Sequence, residues 1–334
     1  MTSMFSRILV AVDASAPARL AVVLGARLAH EHDGDLLLCH CVDWMPIIAQ
    51  LEASGAIIDP TPTVDAFNAR ATSLLTAAAE CAARYGIQAK RGIVEGSAQT
   101  GILQLAGEQR CGLIVMGAHA GSGFGRLLIG NTTNAVLRAS SIPVLTVREG
   151  IRIADEGRCC FARIMVATDE SEPSVAALET ALALPPEDRR ELIVCSVADA
   201  NRPRDRADSG SPNGLVVTQA RANADRAVAI AQAQGIAVKS RVIEGDPRVA
   251  LVAQAAHEDA DLIVIGSHGR RGIERLVLGS VAEYVVRTAP LPVLVVRTGA
   301  ANALPVVHAS AANPLTVPVG SAAYFQREGE TKRS

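Results

Sequence analysis

A doubly wound α/β fold, built twice in tandem, is what the sequence predicts, and three observations predict it. Short runs of Val, Ile and Leu recur without polar alternation, as strands buried on both faces of a parallel sheet do. Stretches of helical period lie between these runs, and strand-helix-strand alternation with right-handed crossovers makes a parallel sheet. The first half of the chain also returns in the second half. Arg7-Ile-Leu-Val-Ala-Val-Asp13-Ala-Ser15 recurs as Arg163-Ile-Met-Val-Ala-Thr-Asp169-Glu-Ser171, and Leu38-Cys-His-Cys-Val-Asp43 as Val194-Cys-Ser-Val-Ala-Asp199, both 156 residues on. Ile93 to Gly96 recurs as Val242 to Gly245, Leu113 to His119 as Leu262 to His268, and Ser141 to Arg148 as Pro290 to Arg297, each 149 residues on. Five segments in one order are a duplication. Its seam lies near Glu149 to Cys160, and the second copy is seven residues shorter between Asp199 and Glu244.

Taken in order, the first copy opens on the strand Ile8 to Val12, which stops at Asp13, and Pro17 to His30 follows with helical period. The strand around Leu38 leads to a second helical stretch, Phe67 to Tyr85, and Ile93-Val-Glu-Gly96-Ser97 to a capped helix over Ala98 to Gln109. In the second copy the helices are Pro173 to Leu184, Val216 to Gln234 and Pro247 to His257, the last with Asp246 as N-cap and Pro247 in the first helical position. Domains are therefore expected at residues 1–150 and 160–298. Residues 299–334 have no counterpart and no period, and read as a flexible tail. Asn201 to Gly214 is polar and reads as mobile, whereas Trp44 to Ile58 is apolar and is expected to pack on a neighbouring domain or chain.

Composition agrees with two domains of roughly 150 residues each. The 334 residues are 49% hydrophobic, 20% charged and 3% aromatic, which gives an aliphatic core and excludes disorder over most of the chain. Lys and Arg number 32 against 34 Asp and Glu, so no global field draws in nucleic acid or an anionic membrane, and any anion must be held by a local site. The apolar run at Ile8 is cut at Asp13, too short for a signal-peptide core, and a cytoplasmic location is expected. Gly299 to Gln326 has no charged residue, but Pro305, Pro314 and Pro318 argue against a membrane span. Seven cysteines, an odd number placed mostly in apolar runs, read as reduced thiols, and adjacent Cys159-Cys160 matches no metal spacing.

Ligands of doubly wound sheets bind at the carboxyl ends of strands, where strand order reverses. In the second copy three such ends carry informative residues. Asp169 ends a strand and precedes a helix; an Asx turn and a carboxylate facing ribose hydroxyls are both open readings. Gly266-Ser-His268-Gly269, nine residues, then Gly279-Ser280 before a helix is the chemistry of a phosphate cradle, with glycines for positive φ and close approach and bare N–H groups at a helix start. The pattern arises by chance in only about one or two chains of this length in a hundred. Arg270, Arg271 and Arg275 lie within the loop. Val197, at the end of the next strand, offers backbone groups to a base. In the first copy Asp13 and Ser15 are present and Val42 is read as standing where Val197 stands, but Ala120 replaces the second glycine and Asn131 replaces Ser280. Weaker or altered phosphate binding is expected there. His119 and His268 read as hydrogen-bonding groups, and no Walker lysine, metal cluster or nucleophile elbow is present, so no catalytic residue is assigned.

These residues resemble the universal stress proteins, specifically their tandem members, over Arg7 to Arg297, and Gly266-x2-Gly269-x9-Gly279-Ser280 is the pattern of the family's ATP-binding branch. The resemblance implies a five-stranded parallel sheet in each copy, an adenine nucleotide across the strand ends (ATP, with or without Mg), pairing of domains through the last strand, a homodimer and a regulatory protein partner. Carried over, the implied contacts of the second copy are Ala167, Thr168, Asp169, Val197, Ile265, Gly266, His268, Gly269, Gly279, Ser280 and Val281. Those of the first are Ala11, Val12, Asp13, Val42, Met116, Gly117, His119, Gly130 and Asn131. The implied function is regulatory; a slow ATPase and a nucleotide-free interaction module are the alternatives.

Overall fold

The computed structural model describes residues 4–45, 49, 53, 61–118, 129–151, 153, 159–184, 191–199, 212–269, 277–298 and 316–317. Two compact units are present, Met1–Gly117 with Ala301–Ser334, and Ala118–Ala300.

In the first unit the chain runs β1 (Arg7–Ala11), α1 (Ala16–Glu31), β2 (Asp35–Val42), α2 (Thr61–Ala83), β3 (Lys90–Glu95), α3 (Ala98–Glu108) and β4 (Leu113–Gly117). The strands lie in the order β3-β2-β1-β4 and all pairings are parallel. Ile8, Leu9 and Val10 are fully buried between flanking helices, which is why this strand reads as an unbroken apolar run. Ser15 caps α1, its Oγ accepting from Ala18 N at 3.2 Å. Two residues of the tail, Thr316–Val317, lie parallel to β3 and oppose Ile93 and Val94, so this part of the tail is a strand, unannounced by any period in the sequence.

The second unit contains α4 (Asn131–Ala139), β5 (Val144–Val147), β6 (Arg163–Ala167), α5 (Glu172–Leu182), β7 (Glu191–Ala198), α6 (Pro212–Ala233), β8 (Val238–Glu244), α7 (Pro247–His257), β9 (Leu262–Gly266), α8 (Ser280–Thr288) and β10 (Val293–Val296). Strand order is β5-β10-β9-β6-β7-β8. Every pairing is parallel except β10 with β5, where Leu294 opposes Leu145. The last strands of the two repeats therefore pair with each other, and Thr146 Oγ1 donates to Val293 O at 3.1 Å across the seam. This pairing brings α4 and β5 into the second compact unit, so the units divide at Gly117 while the repeats divide near residues 149–160. β8 is the outer strand and its side chains are half-exposed or exposed, unlike the buried runs of β6 and β9.

Register tests the repeat. β2 sets Val42 against Glu95, and β7 sets Ala198 against Glu244, with Val197 one place earlier against Ile243, where β2 has Cys41 against Val94. Val42 thus matches Ala198, and the counterpart of Val197 is Cys41, which corrects the sequence reading. That reading matched Val to Val by type; in a strand a slip of one residue moves the side chain to the other face. Gly86 and Gly235 end α2 and α6 at φ +77° and +74°, a left-handed exit that suits glycine, and they align the two helices.

Of the expectations on loops, Asn201 to Gly214 lies outside the described residues apart from 212–214, which begin α6. Trp44 to Ile58 lies outside them apart from residues 44, 45, 49 and 53. Among the described residues no helix is long and apolar enough to cross a membrane.

Candidate functional site

Strand order reverses at β6: the chain leaves it for β7 on one side and returns through β9 on the other. A cavity of about 430 Å³ opens at the carboxyl ends of these three strands, within the usual range for small-molecule pockets. All eleven residues that the sequence singles out in the second copy line it, from Ala167, Thr168 and Asp169 through Val197, Ile265, Gly266, His268 and Gly269 to Gly279, Ser280 and Val281.

The turn after β6 is built by its own side chains. Asp169 Oδ1 accepts from Ser171 N at 3.0 Å, Glu170 sits at φ +63°, and Ser171 caps α5, its Oγ accepting from Ser174 N at 3.3 Å. The Asx turn and the site position coexist, since the second carboxylate oxygen lies toward the glycine loop. A Cβ on Gly269 would come within 2.6 Å of Asp169 Oδ2. A Cβ on Gly266 would lie 2.7 Å from the Pro173 carbonyl carbon and 2.8 Å from Ser174 N, so only glycine lets β9 end against the start of α5.

Neither Gly266 nor Gly269 takes a positive φ, contrary to expectation, and Gly279 has φ −64°. They are needed for space, not for backbone conformation.

Beyond Gly266 the loop is pinned at both ends, Ser267 N donating to Val296 O at 2.7 Å and Gly279 N to Ser267 O at 2.8 Å. Helix α8 then starts into the cavity with Gly279 as N-cap, a residue with no side chain to cap the first turn. Helix starts carry N–H groups without intrahelical partners and partial positive charge, which suits an anion. The arginines at 270, 271 and 275 lie outside the described residues.

His268 has Nδ1 3.0 Å from Ser267 Oγ, and its backbone carbonyl accepts from Ser171 Oγ at 3.4 Å. Burial, then the nearby Arg297 cation, holds its pKa below the usual histidine value, against an opposing pull from Glu172 and Asp169. A neutral imidazole at neutral pH is a hydrogen-bonding group. Cys195, on the cavity floor, has its thiol pushed up to about 12, chiefly by burial, and is a poor nucleophile.

Sequence reasoning missed the rest of the lining: Ser174, Cys195, Asp199, Pro247, Leu251, Ala282 and one face of α6, formed by Val216, Gln219, Ala220 and Asn223. The α6 residues recur at i, i+3, i+4 and i+7, a spacing legible in the sequence but read there only as helix.

The first copy repeats the local geometry. Asp13 Oδ1 accepts from Ser15 N at 2.9 Å, and Val12 N donates to Cys39 O at 2.8 Å, as Thr168 N does to Cys195 O at 2.9 Å. A Cβ on Gly117 would lie 2.9 Å from Pro17 Cβ and 3.0 Å from Ala18 N. Ala11 and Met116 end β1 and the buried run of β4, and Val42, 4% exposed, ends β2. One feature is the copy's own: His40 Nδ1 lies 2.6 Å from the Val12 carbonyl, where the second copy has Ser196. Gly130 and Asn131 belong to the second compact unit, Gly130 as N-cap of α4, with Gly130 N donating to Ala118 O at 2.9 Å. His119 and Ala120 lie outside the described residues.

Comparison with known proteins agrees with the duplication. The model of the universal stress protein family matches twice, at residues 4–148 and 161–297. A universal stress protein of Methanocaldococcus jannaschii is 31% identical over 148 residues, 43% of this chain and 87% of its own. One of Mycolicibacterium smegmatis is 27% identical over 303 residues, 87% of this chain and 96% of its own. Among solved structures, a universal stress protein of Archaeoglobus fulgidus shares the fold with a TM-score of 0.64 at 22% identity, covering 88% of this chain and 97% of that one. With both repeats matched in order over most of its length, the chain belongs to the universal stress protein family and carries two of its domains in tandem.

Proposed function

We propose that the second domain binds an adenine nucleotide, ATP foremost, and that the protein is a cytoplasmic stress-response regulator whose nucleotide state governs its partners or its self-association as a homodimer. The observation that carries this reading is the convergence, in one cavity, of a helix start with glycine as its N-cap, three glycines that admit no Cβ without a close contact, and a carboxylate at the strand switch point. The cavity has the volume and the two kinds of wall a nucleotide needs. Backbone N–H groups of α8 suit phosphate, while Val197, Val216, Leu251 and Ile265 make an apolar slot suited to a purine. A Mg²⁺ ion, where present, would arrive on the phosphates, with the Asp169 carboxylate in the same cavity.

Regulation is favoured over hydrolysis because the sequence carries no Walker lysine and no nucleophile elbow. The first domain is read as the weaker or empty partner. Ala120 takes the place of Gly269, where a Cβ meets the carboxylate, and His40 rests on the Val12 carbonyl. Equilibrium dialysis of the purified chain against ATP, ADP and AMP tests this. Saturable binding is expected, and absence of binding by all three would retire the reading.

A further inference from the structure

The inference here rests on the cavity being a nucleotide site and concerns which base it accepts. In the second unit the glycine loop and α8 follow β9, whereas α6 packs on β7 and β8, so the two lie on opposite flanks of β6. Two strand spacings, about 10 Å, separate those flanks, and phosphates at the α8 start leave the base to face α6.

Two of the four residues that α6 presents to the cavity are polar. Among its inward residues are Gln219 and Asn223, and Gln219 Nε2 donates to Asn223 Oδ1 at 2.9 Å. Asn223 is only 6% exposed. Burying the Asn223 carboxamide costs desolvation, and the cavity beside it is lined by apolar Val197, Val216 and Leu251 and also by the Asp169 and Asp199 carboxylates. The bond between the two amides sets their relative orientation, which leaves Gln219 Oε1 as an acceptor beside the cavity. An acceptor of this kind suits an exocyclic amine, and carboxamides are well matched to the amino edge of adenine. The first domain has no such pair. Counting from Gly86 and Gly235, with Ala71, Ala78 and Ala82 buried as are Ala220, Ala227 and Ala231, the matching residues are Arg70 and Leu74.

We infer that Gln219 and Asn223 are specificity-determining residues of the second domain, selecting a purine that carries a 6-amino group. A site built to bond an N–H group discriminates against the analogue that lacks it, because its own polar groups are then left unpaired. The test compares ATP with purine riboside 5′-triphosphate, identical but for the missing 6-amino group, by calorimetry on the full chain. The intact protein is expected to prefer ATP by about tenfold or more, and Asn223→Leu, the residue present at the first domain's position, to bring the ratio close to one. Gln219→Leu, at a more accessible position, is expected to do the same and guards against misfolding of the first variant. Equal binding of the two nucleotides by the intact chain, or an unchanged ratio in both folded variants, overturns the inference while leaving the nucleotide site standing. Binding of neither overturns both.

Discussion

Gly266→Ala and Gly269→Ala each add one methyl group, and they are expected to fail in different ways. At 266 the new carbon meets backbone, 2.7 Å from the Pro173 carbonyl carbon and 2.8 Å from Ser174 N, at the start of α5. Neither atom can move without shifting β9 against α5, so the cost is that of overpacking, about 2–3 kcal/mol. In a domain of this size that lowers the melting temperature by about 5–10 °C. At 269 the new carbon meets a side-chain atom, Asp169 Oδ2 at 2.6 Å, with the carboxyl carbon next at 3.7 Å. Rotating a short carboxylate off its preferred conformer costs about 1 kcal/mol, so melting falls by under about 4 °C. The rotation displaces a cavity-lining carboxylate, however, and a tenfold or larger loss of nucleotide affinity follows if that carboxylate helps hold the ligand. Differential scanning fluorimetry and calorimetry on both variants read the two effects separately. An unchanged melting temperature for Gly266→Ala would refute the close-approach explanation of that glycine, and unimpaired ATP binding by Gly269→Ala would refute a ligand-holding role for Asp169.

Other outcomes follow from single features. His268 is held below its ordinary pKa by burial, so the unfolded chain binds the proton more readily. Its contribution to stability is present above pH about 6.5 and is lost as pH falls below it; urea titrations at pH 7.5 and 5.5 should show a smaller acid loss in His268→Asn than in the parent. The thiols of Cys195 and Cys111, each pushed up to about 12 mainly by burial, should resist iodoacetamide at pH 8 in the folded protein and react once it is unfolded, read by mass spectrometry of the peptides. Gly235→Ala, at φ +74° with open space around the added carbon, should cost about 1 kcal/mol from backbone strain alone and leave nucleotide binding untouched.

Much of this molecule is legible in its sequence because the repeat samples the same physics twice. Two strands ending in Asp13 and Asp169, each followed by a serine cap, identify the strand ends that position a site. The cavity of the second domain gathers every residue so identified there. What escaped did so for physical reasons. A glycine needed for space looks the same in sequence as one needed for positive φ, and Gly266 and Gly269 are of the first kind. Val42 and Val197 are alike in type but one register apart; the 156-residue offset already sets Val197 against Cys41, and strand pairing agrees. Helical period shows that one face of α6 is turned inward, but not that Gln219 and Asn223 meet a cavity. Nor does the repeat reveal that β5 pairs antiparallel with β10, which puts the end of one copy into the compact unit of the other.

On this reading nucleotide binding belongs to the second domain, through helix start and glycine backbone. It is tested most directly by counting nucleotides on the intact chain by native mass spectrometry, with ATP in excess. One nucleotide per chain, lost in Gly269→Val and retained in Asp13→Asn, is the predicted result. Two per chain, filling together at the same ATP concentration, would contradict the inequality of the domains, and none would contradict the site itself.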